Sequence, residues 1–190
     1  MGIPSLRALI TLAKSKPGQL TFASASSGSV SHLIGEMLKQ MAGIDIVHVP
    51  YKGAGPALID VMGGHIGLMF AGGPSAAGAI KAGRLKLIAV AALEHSPAFP
   101  AAPTMAEAGL PGADARGWWG VVAPAGTPRS IVTQLNGEIN RALALPDIRE
   151  RYAREGATPQ IMTPEEFGAF ITSEIEKWAK VVKGSGARVD

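Results

Sequence analysis

Between residues 19 and 92, short apolar or β-branched runs alternate with helical stripes four times, and this alternation restricts the fold more than any other feature. Leu20 to Ala23 reads as a strand. Leu33, Ile34, Met37, Leu38 and Met41 then recur at helical spacing, and Gly43 stands where a helix ends in a left-handed residue. "IDIVHV" is β-branched and reads as the next strand. In "PYKGAGPALIDVMGG" a loop leads into a helix with Pro56 in its first position. "HIGLMF" is a strand, and "GGPSAAGAIKAGR" a loop and short helix. "LKLIAVAA" is almost continuously apolar, as expected of a parallel strand covered on both faces. The fold class is therefore α/β.

The flanks read differently. An amphipathic helix precedes the first strand and closes at Pro17-Gly18. Residues 93–117 are proline-rich and irregular, with a short helix expected near Met105. "GWWGVVAP" reads as a strand ending at Pro124. Thr127 is placed to cap a helix that starts at Pro128 and buries Ile131, Leu135, Ile139 and Leu143. A small helix is expected at Ile148 to Arg154 and a short strand at Gln160 to Met162. In the last helix, Thr163 and Glu166 form a capping box, Pro164 follows the cap, and Gly184 stands at the far end.

Composition narrows the function. Of 190 residues, 47% are hydrophobic and 17% charged, which supports a packed core rather than disorder. The net charge of +3 is spread over scattered lysines and arginines and aromatics are few, so no nucleic-acid partner is expected. The absence of cysteine excludes disulfides and thiol chemistry. The four histidines have no metal-ligand spacing and no carboxylates pair, so neither a metal, a cofactor nor a catalytic set is implied. No apolar run approaches the roughly 20 residues that span a bilayer. The opening stretch does not read as a signal peptide, because Arg7 and Lys14 interrupt its apolar residues.

"FASASSGSVSHLIGEML" is the stretch most directly tied to function. A strand, a loop of small hydroxyl residues and a helix N-terminus make an anion site, because first-turn N–H groups lack intrahelical partners and the helix dipole is positive there. Ser26, Ser27, Ser29 and Ser31 offer hydroxyls, and Gly28 lets the backbone approach a ligand. The plainer reading is that these serines only cap a helix and fill a turn. A phosphate loop is disfavoured, since neither GxxxxGK[ST] nor GxGxxG occurs. A serine esterase using Ser29 and His32 is the enzymatic alternative, although the G-x-S-x-G elbow is absent. Tyr51 lies just past a strand end, where α/β sheets bind ligands, and "FAGGPSA" with Ala71 and Gly72 repeats the arrangement after the next strand. Trp118 and Trp119 either line that cleft or plug a junction, with at least one assigned to the junction.

"HVPYKG", "PTMAEAG" and "APAGTP", together with the serine loop, resemble the Bug, or TctC-like, family of periplasmic solute receptors of tripartite tricarboxylate transporters, from about Ser5 to Lys183. The resemblance implies a type II periplasmic-binding fold, two α/β lobes with a cleft between them. It also implies a small organic acid as ligand, membrane transporter subunits as partners, a periplasmic location and no chemistry. Carried onto this chain, it makes Ser26, Ser27, Gly28, Ser29 and Ser31 carboxylate contacts. Ser26 replaces a usual glycine, Val30 a usual hydroxyl, and Ala71 a common aspartate, which disfavours an amino-acid ligand anchored there. Against the family pattern, residues 19–121 form a complete second lobe. Residues 1–18 and 122–190 form parts of an incomplete first lobe, so impaired binding, a non-binding remnant and self-association through that lobe are expectations to be weighed.

Overall fold

Ser5 caps the first helix by accepting the N–H of Ala8 at 3.2 Å, and α1 runs over Leu6–Ser15. The computed structural model describes residues 2–185. The following elements are β1 (Thr21–Ser24), α2 (Val30–Ala42), β2 (Val47–Pro50), α3 (Ala54–Met62), β3 (Leu68–Met69) and α4 (Gly73–Lys81). A long irregular segment then leads to α5 (Arg129–Ala144), α6 (Pro146–Arg154) and α7 (Pro164–Ser185). Gly43 ends α2 in the left-handed region at φ 59°, as its place in the sequence requires.

The three strands form one parallel sheet in the order β2-β1-β3. Phe22 pairs with His48 on one side and with Leu68 on the other. Because all three strands run the same way, the loops after β1, β2 and β3 emerge on one edge. β1 connects to β2 on one side while β3 continues on the other, so the chain reverses direction between β1 and β3. Such switch points are where open α/β sheets hold ligands.

The core is built around β1. Phe22 is fully buried and packs with Leu9 and Ala13 of α1, Leu38 of α2, and Ile46. α2 lies so close to the sheet that a Cβ on Gly35 would stand 2.2 Å from the Phe22 ring. On its other side α2 meets α7, where Gln40 donates to the Val181 carbonyl at 3.0 Å and Trp178 covers the core. Glu174 of α7 is buried, but it accepts from Trp118 Nε1 at 3.2 Å and Trp178 Nε1 at 3.1 Å and pairs with Lys177.

Several expected elements do not form. Residues 85–92 make a single bridge, Val90 with Thr104, instead of a fourth strand. Residues 117–124 and 160–162 are not strands, and near Met105 there is a turn rather than a helix. At residues 90–91 the backbone does find partners, Val90 N with the Pro103 carbonyl at 2.9 Å and Ala115 N with the Ala91 carbonyl at 3.0 Å, but too few in succession to make a strand. The helix containing Pro56 starts two residues earlier, at Ala54, and Pro128 takes the cap position assigned to Thr127. The stripe of α5 is not buried: Ile131 is 46% and Leu135 49% exposed. The capping box of α7 forms as expected, with Glu166 accepting the Thr163 N–H at 2.8 Å and Thr163 Oγ1 accepting the Glu166 N–H at 3.1 Å.

Candidate functional site

Three helices begin on the edge where the three strands end. α2 follows the serine loop, α3 follows Tyr51 to Gly53, and α4 follows Ala71 and Gly72. None has an acidic residue in its first turn, whereas α6 opens with Asp147 and α7 with Glu165 and Glu166. The three helix ends at this edge are therefore uncompensated, as are those of α1 and α5, while α6 and α7 neutralise theirs.

The serine loop divides into builders and donors. Ser29 caps α2, accepting the His32 N–H at 3.4 Å, and gives its hydroxyl hydrogen to the Ser26 carbonyl at 2.7 Å. Ser31 Oγ lies 2.9 Å from Ser29 Oγ and accepts the Ala25 N–H at 3.0 Å. These two hydroxyls hold the loop's shape. The Ser27 side chain has no partner among the described residues, and neither do the N–H groups of Ser26, Ser27, Val30 and Ser31. Gly28 turns the chain at φ 72°, where a side chain would be strained. The sequence marked all four serines alike; only the folded loop separates the two that build from the two at its tip.

The neighbouring loops are tied to this one. Tyr51 N donates to the Ser24 carbonyl at 3.0 Å and Gly53 N to the Ala25 carbonyl at 2.7 Å. The Tyr51 hydroxyl donates to Asp60 Oδ2 at 2.6 Å, and that bond raises its pKa. Tyr51 therefore offers a ring wall and a hydroxyl oxygen, with its hydrogen already committed. Ala71 and Gly72 are exposed at the start of α4. A Cβ on Gly72 would lie 3.5 Å from Trp119 Cη2, so this indole borders the site. Trp118 instead faces α7, edge-on to Phe167 and Phe170 at 5.7 and 5.3 Å between centroids. The sequence left the two tryptophans undivided, since adjacent residues in an irregular segment carry no periodicity to separate them.

The Ser29–His32 pair has no nucleophile–base geometry. His32 Nδ1 accepts the Gly28 N–H at 3.1 Å, and its Nε2 faces Glu36 at 3.8 Å. Ser29 meets His32 only through the latter's backbone N–H. No cluster of His, Cys, Asp and Glu suited to a metal occurs among the described residues. A groove of about 480 Å³ along α1, lined by Ser5, Arg7 and Thr11, includes none of the strand-end residues. The strand ends carry the concentration of unpaired donors and define the candidate site.

Comparison with solved structures first gives the class. The structure titled "R. palustris Rpa4515 with adipate" matches with a TM-score of 0.93 at 34% identity, covering 98% of this chain and 62% of that one. The periplasmic binding protein BugD matches with a TM-score of 0.89 at 31% identity, covering 99% and 64%. The chain has the fold of this periplasmic-binding class. Residues 2–187 match the family model described as tripartite tricarboxylate transporter family receptor, and the chain belongs to that family. Protein BugT of Bordetella pertussis is 41% identical over 187 residues, 98% of this chain and 57% of BugT, so the chain spans little more than half of that relative. The description is that of a receptor and not of an enzyme, in keeping with the Ser29–His32 geometry.

Proposed function

We propose that the chain captures a small carboxylate at the edge formed by the β1–α2, β2–α3 and β3–α4 loops, as a periplasmic receptor serving a tripartite tricarboxylate transporter. The observation that carries this reading is the group of unpartnered donors at the tip of the serine loop: the Ser27 hydroxyl and the N–H groups of Ser26, Ser27, Val30 and Ser31, at the uncompensated start of α2. A carboxylate accepts up to four hydrogen bonds and needs such a set when no cation is at hand. Ser29, Ser31 and Gly28 hold the loop, Tyr51 forms a wall, and Ala71 and Gly72 present the α4 start from across the switch point. The adipate in the similar R. palustris protein supports a dicarboxylate as the first ligand class to test.

In this reading residues 19–121 form one lobe, and residues 1–18 with 122–190 contribute to the other. α1 straps the two together by burying Leu6, Leu9 and Ala13 against the 19–121 core. The exposed Val121, Val122, Ile131 and Leu135 favour association with a second copy of the chain. Sedimentation would show a concentration-dependent dimer, and a monomer at all concentrations would rule it out.

Titration calorimetry with adipate and a panel of related dicarboxylates tests the ligand. Saturable binding is expected. Ser27→Ala should weaken it about 5–10-fold, the worth of one hydrogen bond of about 1–1.5 kcal/mol, without changing the melting temperature. The absence of heat with every acid would sink the reading.

A further inference from the structure

Behind the serine loop runs a column of polar side chains that carboxylate contact leaves unused. His32 of α2 and His48 of β2 stack face to face, 3.7 Å between ring centroids and 8° from parallel. His32 is buried, as is Glu36 one turn along, and Lys39 pairs with Glu36 at 3.0 Å. Each ring ends on the loop. His32 Nδ1 accepts the N–H of Gly28 at 3.1 Å. His48 Nε2 lies 2.6 Å from Ser24 Oγ, which donates to the Ser26 carbonyl at 3.0 Å. Ser26 and Gly28 flank Ser27, so the imidazole pair grips the loop on both sides of the residue at its tip.

These bonds fix the protonation state of His32. Because His32 Nδ1 accepts an N–H, its own proton is on Nε2. Ser24 has one hydroxyl hydrogen; directed at the Ser26 carbonyl, it leaves the oxygen to accept from His48 Nε2–H. His32 is then neutral, whereas the His48 bond to Ser24 is made from Nε2–H and does not depend on whether Nδ1 also carries a proton. A second proton on His32 would set N–H against N–H at Gly28, and the grip would open.

We propose that His32 and His48 are positioning residues of the carboxylate loop, and that they hold the Ser26–Gly28 tip in its binding arrangement only while the His32 imidazole is neutral, so that acid releases it. The ligand part of this inference rests on the carboxylate reading above. The surroundings favour the neutral state. Burial lowers both rings, His48 to about 4, helped by the neighbouring His32 and by Lys39. Of the charged groups acting on the pair, only Glu36 pulls the other way, on His32. β1 presents uncharged Ser24 and Phe22, whose ring lies 5.0 Å from His48.

The test follows the Gly28 amide and the imidazole nitrogens by nitrogen-15 NMR in the 190-residue chain from pH 8 to pH 4. Gly28 should shift and lose exchange protection at the midpoint of the imidazole titration. In His32→Asn, whose Oδ1 can replace Nδ1 as acceptor, Gly28 should stay protected throughout. In His32→Leu the protection should already be lost at pH 8. A Gly28 amide that ignores the imidazole titration, or keeps its protection in His32→Leu, overturns the proposal. The wild-type titration and His32→Asn decide it even if the leucine variant fails to fold. Adipate affinity supplies a second arm. The ratio of wild-type to His32→Asn affinity cancels the acid's own protonation and should fall at least 10-fold between pH 7.5 and pH 4.5; a constant ratio overturns release by acid. If adipate does not bind at pH 7.5, the carboxylate reading fails and the Gly28 arm still judges the grip.

Discussion

α2 and α5 have similar lengths, 13 and 16 residues, and each carries an apolar stripe, yet α2 buries eight residues and α5 none. α2 lies between the Phe22 face of the sheet and α7, so its stripe and its neighbours are covered from two sides. The main neighbours of α5 are α6 and α7, and its Ile131 and Leu135 remain about half exposed. A stripe states which face a helix would bury. Whether it is buried depends on a partner surface that local sequence does not describe.

The largest effect should come from breaking the α2 side of this comparison. Leu38 is fully buried, and Leu38→Ala should cost about 2–5 kcal/mol in urea unfolding. Leu135→Ala, in α5, should stay within about 0.5 kcal/mol at concentrations low enough to keep the chain monomeric. Equal costs would mean that the α5 face is covered in solution, as a dimer through that surface would require.

A matched pair of glycines sharpens the same contrast. In Gly35→Ala the new Cβ would stand 2.2 Å from a Phe22 ring that has nowhere to go, and a loss of about 1–3 kcal/mol is expected. At Gly137, in α5, nothing lies within 4 Å of such a Cβ. Gly137→Ala should therefore stabilise the chain by about 0.5–1 kcal/mol through helix propensity alone. Denaturant midpoints of the two variants should move in opposite directions.

The contrast also explains what was legible in the sequence. Two pieces of local punctuation read correctly, Gly43 after α2 and Thr163 with Glu166 before α7, while Pro56 and Thr127 stand one or two residues away from the positions expected of them. The strand at "LKLIAVAA" was misread, because apolar content is shared by strands and by extended segments that merely pack. Ile88 and Ala89 do pack against the core, yet only Val90 finds a bridge. At the site, the cluster of serines and the three strand-end loops were visible as spacing. The division of labour between Ser27 and its neighbours was not, because it depends on which hydroxyls the folded loop consumes. His48 stands inside the strand run "IDIVHV", and nothing local shows its bond to Ser24, which joins positions 24 residues apart.

A last effect distinguishes the two regions by pH. His48 and His32 belong to the sheet and α2, and residues 117–190 contain no histidine. His48 has a folded pKa of about 4 against an ordinary 6.5, so between those values the unfolded chain binds more protons than the folded one. Its contribution is therefore complete above pH 6.5 and is lost as pH falls toward 4, and His32 acts in the same direction. His95 opposes them, since Glu107 raises its pKa and favours the folded state at low pH, but both partners are exposed and solvent screens the pair. Subtracting the urea midpoints of His48→Gln from those of the wild type at each pH removes His95 and the carboxylates. The difference should be steady from pH 8 to about 6.5 and then shift against the wild type down to pH 4. A difference that stays flat across that window would mean that His48 is solvated in the folded chain, and the tight core seen around α2 would then end short of the serine loop.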